Sequence, residues 1–245
     1  MGNKLNTQQM NRRALLLGAA AGLTTLPLSA RKLLAADITP GPNAVLLVID
    51  VQNCFLPGGT LPVTDGHAVI PLINELSKKF KSVVLTQDWH TPGHASFASS
   101  YEGKEPFDTT ELSYGTQVLW PDHCVQGTED AKLAATLDIP HAQMIVRKGF
   151  RPDVDSYSAF MEADGVLRTG LTSYLQELGL TEVYVCGLAS DFCVSWSAQD
   201  AKEAGFNVSV IEDATRAIDL NGSLSAAWSE MNAAGVHRIQ SAAFM

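Results

Sequence analysis

Five short runs of uninterrupted apolar residues recur along the chain: AVLLVID (44–50), SVVLTQD (82–88), AQMIVRKG (142–149), EVYVCG (182–187) and NVSVIED (207–213). Without polar alternation, runs this short suit strands buried on both faces, as in a parallel sheet covered by helices. Segments with helical spacing of apolar positions separate them: HAVIPLINELSKKF (67–80), GVLRTGLTSYLQELGL (165–180), CVSWSAQDAKEAGF (193–206) and LSAAWSEMNAAG (224–235). The alternation predicts a doubly wound α/β fold, a mainly parallel sheet flanked by helices on both faces, with right-handed crossovers. No internal repeat or low-complexity segment interrupts it.

One stretch breaks the rhythm. Residues 89–141 form a long, mostly irregular excursion rich in Gly, Pro, His and Trp, and loops of that length in a compact domain are usually functional. Ligands of open α/β sheets sit beyond the carboxyl ends of the strands. Polar residues at strand ends are therefore the first suspects: Asp50 after the first run, Asp88 after the second, Lys148 after the third and Cys193 just past the fourth.

The amino-terminal residues follow a different pattern. Arg12 and Arg13 precede a 13-residue apolar stretch, Ala14 to Leu26, too short for a membrane span but suited to an export signal. Paired arginines ahead of it point to the bacterial twin-arginine (Tat) route; a Sec signal or a lipid-surface anchor is the plainer alternative. The expected organisation is a signal peptide over 1–36, cleaved after Ala30 or, preferably, Ala36, and one domain over 37–245. Such a protein would be exported or periplasmic, with the Tat machinery as a partner of the precursor and no stable membrane insertion after cleavage. Removing the five basic residues of 1–36 from the total of 17 leaves 12 against 26 acidic residues, a net charge of −14. So acidic a chain excludes nucleic acid and anionic lipid as partners. A homo-oligomer stays open.

Four cysteines, at 54, 124, 186 and 193, allow two disulfides in principle, but their spacing is not that of a small stapled scaffold. Cys186, inside an apolar run, reads as a small buried hydrophobe. Cys193 stands instead in a glycine-started turn, GLASDFC, between a strand and a helix. A nucleophilic thiol needs a base and a nearby cation. Asp50 can take its proton, and Lys148 can hold Asp50 ionised. Singly, Asp50 is as readily a turn former and Lys148 a solvated lysine; only convergence at one sheet edge unites the three. Asp88 and His90, two residues apart, point the same way on an extended segment. With His123 they can form an Asp/His/His set suited to one divalent metal ion: Zn, with Fe or Mn as alternatives. Scattered surface histidines are the competing account. His94 is a possible fourth ligand, or a neighbour of the set acting through water.

Five motifs in register, DVQNCFLPGG, TQDWHTPGHASFAS, WPDHCVQGT, RKGFRPDVDSYSAF and GLASDFCVSWSAQDA, closely resemble the nicotinamidase/pyrazinamidase family of isochorismatase-like cysteine hydrolases. The likeness runs from about residue 44 to 240. It implies a Rossmann-type three-layer sandwich, with Asp50, Lys148 and Cys193 as catalytic triad and Asp88, His90 and His123 as metal ligands. It implies Phe55 and Trp120 as walls of a ring pocket with Tyr157 nearby, and a cis peptide before Ala189 that turns the amides of Ala189 and Cys193 into an oxyanion hole. The implied reaction is hydrolysis of nicotinamide, and of pyrazinamide, to the acid and ammonia through a cysteine thioester, with the metal on the ring nitrogen. Two departures stand out. Cys54 occupies a position where the pattern usually has an acid, which raises the prospect of a regulatory disulfide with Cys193. Export is also unusual for an enzyme of NAD salvage. The rival readings are a related amidase acting on ureido or carbamoyl compounds, and a periplasmic module that binds metal or nicotinate without turnover.

Overall fold

The computed structural model describes residues 38–244; the proposed signal peptide lies outside them. Each apolar run forms a strand: β1 (Ala44–Ile49), β2 (Ser82–Asp88), β5 (Met144–Lys148), β6 (Glu182–Leu188) and β7 (Asn207–Arg216). A short strand, β8 (His237–Ile239), joins them, and all pair in parallel in the order β5-β2-β1-β6-β7-β8. Winding outward in both directions from β1 makes the β1/β6 boundary the topological switch point, where such sheets open a crevice at their carboxyl edge.

Strand side chains alternate between two cores. Leu46 and Val48 pack on one face with Ile70, Ile73 and Leu76 of helix α1 (Val69–Ser77). Val45, Leu47 and Ile49 pack on the other with Leu171 and Leu175 of α2 (Leu171–Glu177), Ala198 and Ala201 of α3 (Ser195–Glu203) and Ala227 and Met231 of α4 (Ser223–Ala233). Helices thus cover both faces, as the apolar runs require. Gly187 meets this packing at its tightest: a Cβ there would lie 2.1 Å from the Ile49 carbonyl oxygen. Only a glycine lets β6 approach β1 so closely.

Three elements differ from expectation. The helix predicted over 165–180 begins only at Leu171, because Gly165 and Gly170 hold left-handed backbones at φ 72° and 91° and Met161 pairs with Arg168 instead. β8 carries too short an apolar pattern to be read from sequence. Inside the excursion lies an antiparallel hairpin, β3 (Thr109–Leu112) and β4 (Gly115–Val118), whose polar residues hide its period.

Candidate active site

Four suspected residues converge at the switch point. Asp50 directly follows β1, Asp88 and Lys148 close the paired strands β2 and β5 in register, and Cys193 follows β6. Cys193 lies in a single wide turn, Ser190–Val194, where the Val194 N–H donates to the Ala189 carbonyl five residues back, before α3 begins. Such turns within helices cluster at functional sites. The Leu188–Ala189 peptide is cis.

Lys148 organises the cluster. It is fully buried, which disposes of the solvated-lysine account. Its ammonium donates to Asp88 Oδ1, to the Ser156 carbonyl at 3.0 Å and to Cys193 Sγ at 3.3 Å. Asp50 Oδ2 lies 2.8 Å from the same nitrogen, so the ammonium forms a fully buried ion pair with this carboxylate as well. Asp50 Oδ1 accepts from the Thr86 hydroxyl at 2.5 Å, and that oxygen accepts from the Asp50 N–H at 3.0 Å. One oxygen atom of Asp50 is thus anchored by Thr86 and the other faces Lys148. Asp50, Asp88 and Cys193 present ligand atoms within 4.8 Å of one another.

Electrostatics divides the two carboxylates. Burial raises Asp50, Lys148 pulls it back and Asp88 raises it again, leaving it above the ordinary carboxylate value. Burial also works against Asp88, but Lys148 and the two histidines outweigh it and hold Asp88 well below that value. The sequence assigns Lys148 to keeping Asp50 ionised. Lys148 does pull Asp50 toward its charged form, and it shares its charge with Asp88 as well. Burial pushes the Cys193 thiol far up despite Lys148, so the resting sulfur keeps its proton. Cys186, buried among apolar side chains, is pushed up as well and stays the inert thiol expected.

Beside this cluster sits the Asp/His/His set. Asp88 Oδ2 lies 3.8 Å from His90 Nε2 and 3.9 Å from His123 Nε2, all buried. Each imidazole has Nδ1 against a backbone carbonyl, Gly149 O at 2.9 Å for His90 and Pro121 O at 2.8 Å for His123. With Nδ1 donating there, both Nε2 atoms face one carboxylate oxygen, a set that a cation completes. Burial works against a charge on His90, but without a cation the Asp88 carboxylate outweighs it and raises His90. Burial and the neighbouring His90 lower His123 to about 4, so it presents a neutral ligand nitrogen. The donor set fits a divalent metal. Gly149, at φ 67°, is required here: a Cβ would lie 2.6 Å from the His90 ring. His94 is not brought onto Asp88. It packs against His90, ring centroids 4.4 Å apart, and bonds Ser96 Oγ at 2.8 Å and the Val154 carbonyl at 3.3 Å.

A narrow cleft opens beside the two clusters. Phe55, Trp120 and Tyr157 line it as expected, with Asp88, His90, His123, Ala189 and Cys193. Trp120 Nε1 donates to the Tyr157 oxygen at 3.0 Å, and Gln117 Nε2 donates to it at 2.9 Å and to Asp155 Oδ2 at 2.8 Å. The sequence reading misses Leu61, Asp155, Phe192 and Ile218, which also line the cleft. Two of these carried a signal: Phe192 adjoins Cys193, and Asp155 stands two residues before Tyr157. Ile218 carried none. It arrives because Asp191 accepts hydrogen bonds from the Ile218 and Asp219 amides at 3.1 and 2.7 Å. Thr86 and Gln52, which orient the carboxylates, are missed too; the Gln52 side chain bonds both the N–H and C=O of Asp88.

The Cys54–Cys193 disulfide that the sequence makes conceivable is not the one formed. Cys54 is bonded to Cys124, and Cys193 is free, its sulfur facing Lys148.

Fold and site together define a doubly wound α/β protein with a buried thiol, carboxylate and lysine beside a metal-type cluster. The chain belongs to the isochorismatase family, whose domain model matches residues 44–243. It is 58% identical over 199 residues to the nicotinamidase of Acinetobacter baylyi, covering 81% of this chain and 93% of that one. A structure from L. infantum in complex with nicotinate is 40% identical with a TM-score of 0.74, covering 84% of this chain and 97% of that one. The pyrazinamidase of Pyrococcus horikoshii in complex with zinc is 34% identical with a TM-score of 0.67, covering 81% and 99%.

Proposed function

We propose that this protein is a nicotinamidase, hydrolysing nicotinamide, and pyrazinamide as well, to the pyridine or pyrazine acid and ammonia. The observation that carries the chemistry is Asp50 Oδ2, buried against Lys148 at 2.8 Å and close to Cys193 Sγ. A carboxylate raised above its ordinary value, with one oxygen anchored by Thr86, is a base held ready for a thiol that burial keeps protonated. Asp50 takes the Cys193 proton while Lys148 steadies the thiolate, which attacks the carboxamide carbon. The amides of Ala189 and Cys193 receive the developing oxyanion. Asp50 then protonates the departing ammonia, leaving a thioester on Cys193. Water cleaves it with Asp50 again as base, releasing the acid and restoring the thiol.

Phe55, Trp120 and Tyr157 enclose the ring. A divalent ion held by Asp88, His90 and His123, zinc with iron or manganese as alternatives, would accept the ring nitrogen's lone pair and fix the ring's orientation. The likeness to relatives described with nicotinate and with zinc supports this reading. The direct test is incubation of the purified protein with nicotinamide and measurement of ammonia. No release above background sinks the assignment, and release from ureido compounds alone would favour the related-amidase reading.

The amino-terminal pattern extends the proposal to export by the twin-arginine route. Replacing Arg12 and Arg13 by lysine should then retain the folded precursor in the cytoplasm. Normal delivery of that variant argues for Sec.

A further inference from the structure

We propose that the Cys54–Cys124 disulfide is a positioning clasp for the ring-and-metal half of the site, so that the oxidation state of this pair sets how firmly the cation is held. The inference rests on the metal and ring assignments above. The bond joins two segments 70 residues apart, and each half-cystine adjoins a cleft residue: Cys54 precedes Phe55 and Cys124 follows His123. Those two rings meet at 5.5 Å between centroids. Cys124 is also tied to the other imidazole, because its carbonyl accepts the His90 N–H at 3.1 Å. Movement of this one residue therefore displaces both histidine donors.

Its backbone needs a constraint. Cys124 sits at φ 48°, in the left-handed region that favours glycine. Besides the sulfur bridge, Asp130 links both half-cystines: its side chain accepts from the Cys124 N–H at 3.2 Å and the Thr60 hydroxyl at 2.6 Å, and its carbonyl accepts from the Cys54 N–H at 2.8 Å. Asn53 adds bonds from its N–H to the Lys132 carbonyl at 2.9 Å and from its side chain to the Glu129 carbonyl at 2.8 Å. These are hydrogen bonds to half-buried or exposed groups, individually modest. The disulfide, with both halves fully buried, is the interior link. Cys193 takes no part, so the catalytic thiol and the clasp are chemically separate. A dithiol reductant opens the clasp by supplying two electrons and two protons, becoming a disulfide itself as Cys54 and Cys124 become thiols; a disulfide oxidant reverses the exchange.

The test compares zinc-loaded wild type, wild type treated with a dithiol, and the Cys54→Ser/Cys124→Ser pair. The state of each thiol is read by alkylation and mass spectrometry, and the fold by circular dichroism. The pair variant and the reduced wild type should both release zinc to a chelator about tenfold faster or more, the scale on which outer supports tune metal sites. KM for nicotinamide should rise more than kcat falls, and the dithiol should change nothing in the pair variant. Unchanged zinc release in folded, reduced protein overturns the clasp, as does finding both thiols free in the native protein. If the serine pair fails to fold, the reduced wild type decides alone. A wild type that takes up no divalent metal overturns the metal reading and the clasp together, whereas zinc held equally well by all three forms overturns the clasp only.

Discussion

The sheet edge and the 89–141 excursion supply the site in different ways. Asp50 directly follows β1, Lys148 closes β5 and Cys193 sits in the turn after β6, so their placement is set by strands whose side chains are locked into the two cores. His123 and Trp120 hang instead on isolated pairings such as His90–Val125 and Phe97–Trp120, on side chain-to-backbone bonds, and on one disulfide. The rigid scaffold holds the groups proposed for bond making, and the excursion holds those that recognise the ring. Breaking the first should abolish chemistry; breaking the second should change which amides are accepted.

The largest effect is expected from Cys193→Ala, which should lower kcat by several orders of magnitude while fold and metal content persist. Retention of more than about a tenth of the activity would refute covalent catalysis by this thiol. Lys148→Gln comes next. It leaves Asp50 and Asp88 buried together without their cation, and removing one partner of a buried pair costs about 3–5 kcal/mol. Denaturant unfolding measures this; a loss below about 1 kcal/mol would mean that water screens the cluster.

On the excursion side, His90→Ala or chelation should penalise nicotinamide by about 100-fold in kcat/KM, the scale of a misaligned substrate. Benzamide has the same carboxamide but no ring nitrogen, so it should react poorly from the start and lose little more. Equal fractional losses for the two amides would show that the ion does not orient the ring. The smallest effect concerns a support of the scaffold. The acid limb of the kcat/KM profile should lie above the ordinary carboxylate value of 3.8, because Asp50 is raised and must be ionised to act. Thr86→Val removes a hydrogen bond that favours the charged form, so that limb should move to still higher pH, with a stability loss of about 1–3 kcal/mol. A limb that stays in place would leave Thr86 without influence on the base.

Legibility followed the same division. Val45 to Ile49 and Val83 to Asp88 announce buried strands by composition, and the strand ends then point to Asp50 and Asp88 without further information. Lys148 was visible as a strand-end lysine, but not as a cation shared between two carboxylates, which depends on β2 and β5 lying in register. Thr86 was hidden because an inward threonine in a strand has the same pattern as any β-branched residue. Cys54 misled, since a thiol two residues from a site glutamine gives no indication of which way its sulfur turns.

What the sequence determined by itself is therefore the layer architecture, the edge at which chemistry collects and the residue types gathered there, because burial on two faces and 3.6-residue periodicity are local properties. What only the tertiary structure decided are pairings between residues far apart in the chain. Cys54 bonds Cys124 rather than Cys193 because the segment after β1 packs on the excursion, turning that sulfur away from the sheet edge. Asp50 and Asp88, alike in sequence, diverge because both are buried and share Lys148 but only Asp88 also has His90 and His123 beside it, while the charge of Asp88 raises Asp50. Ile218 reaches the cleft because Asp191, within the turn that carries Cys193, draws in the chain beyond β7. Each outcome depends on distances across the fold, which residue spacing does not encode.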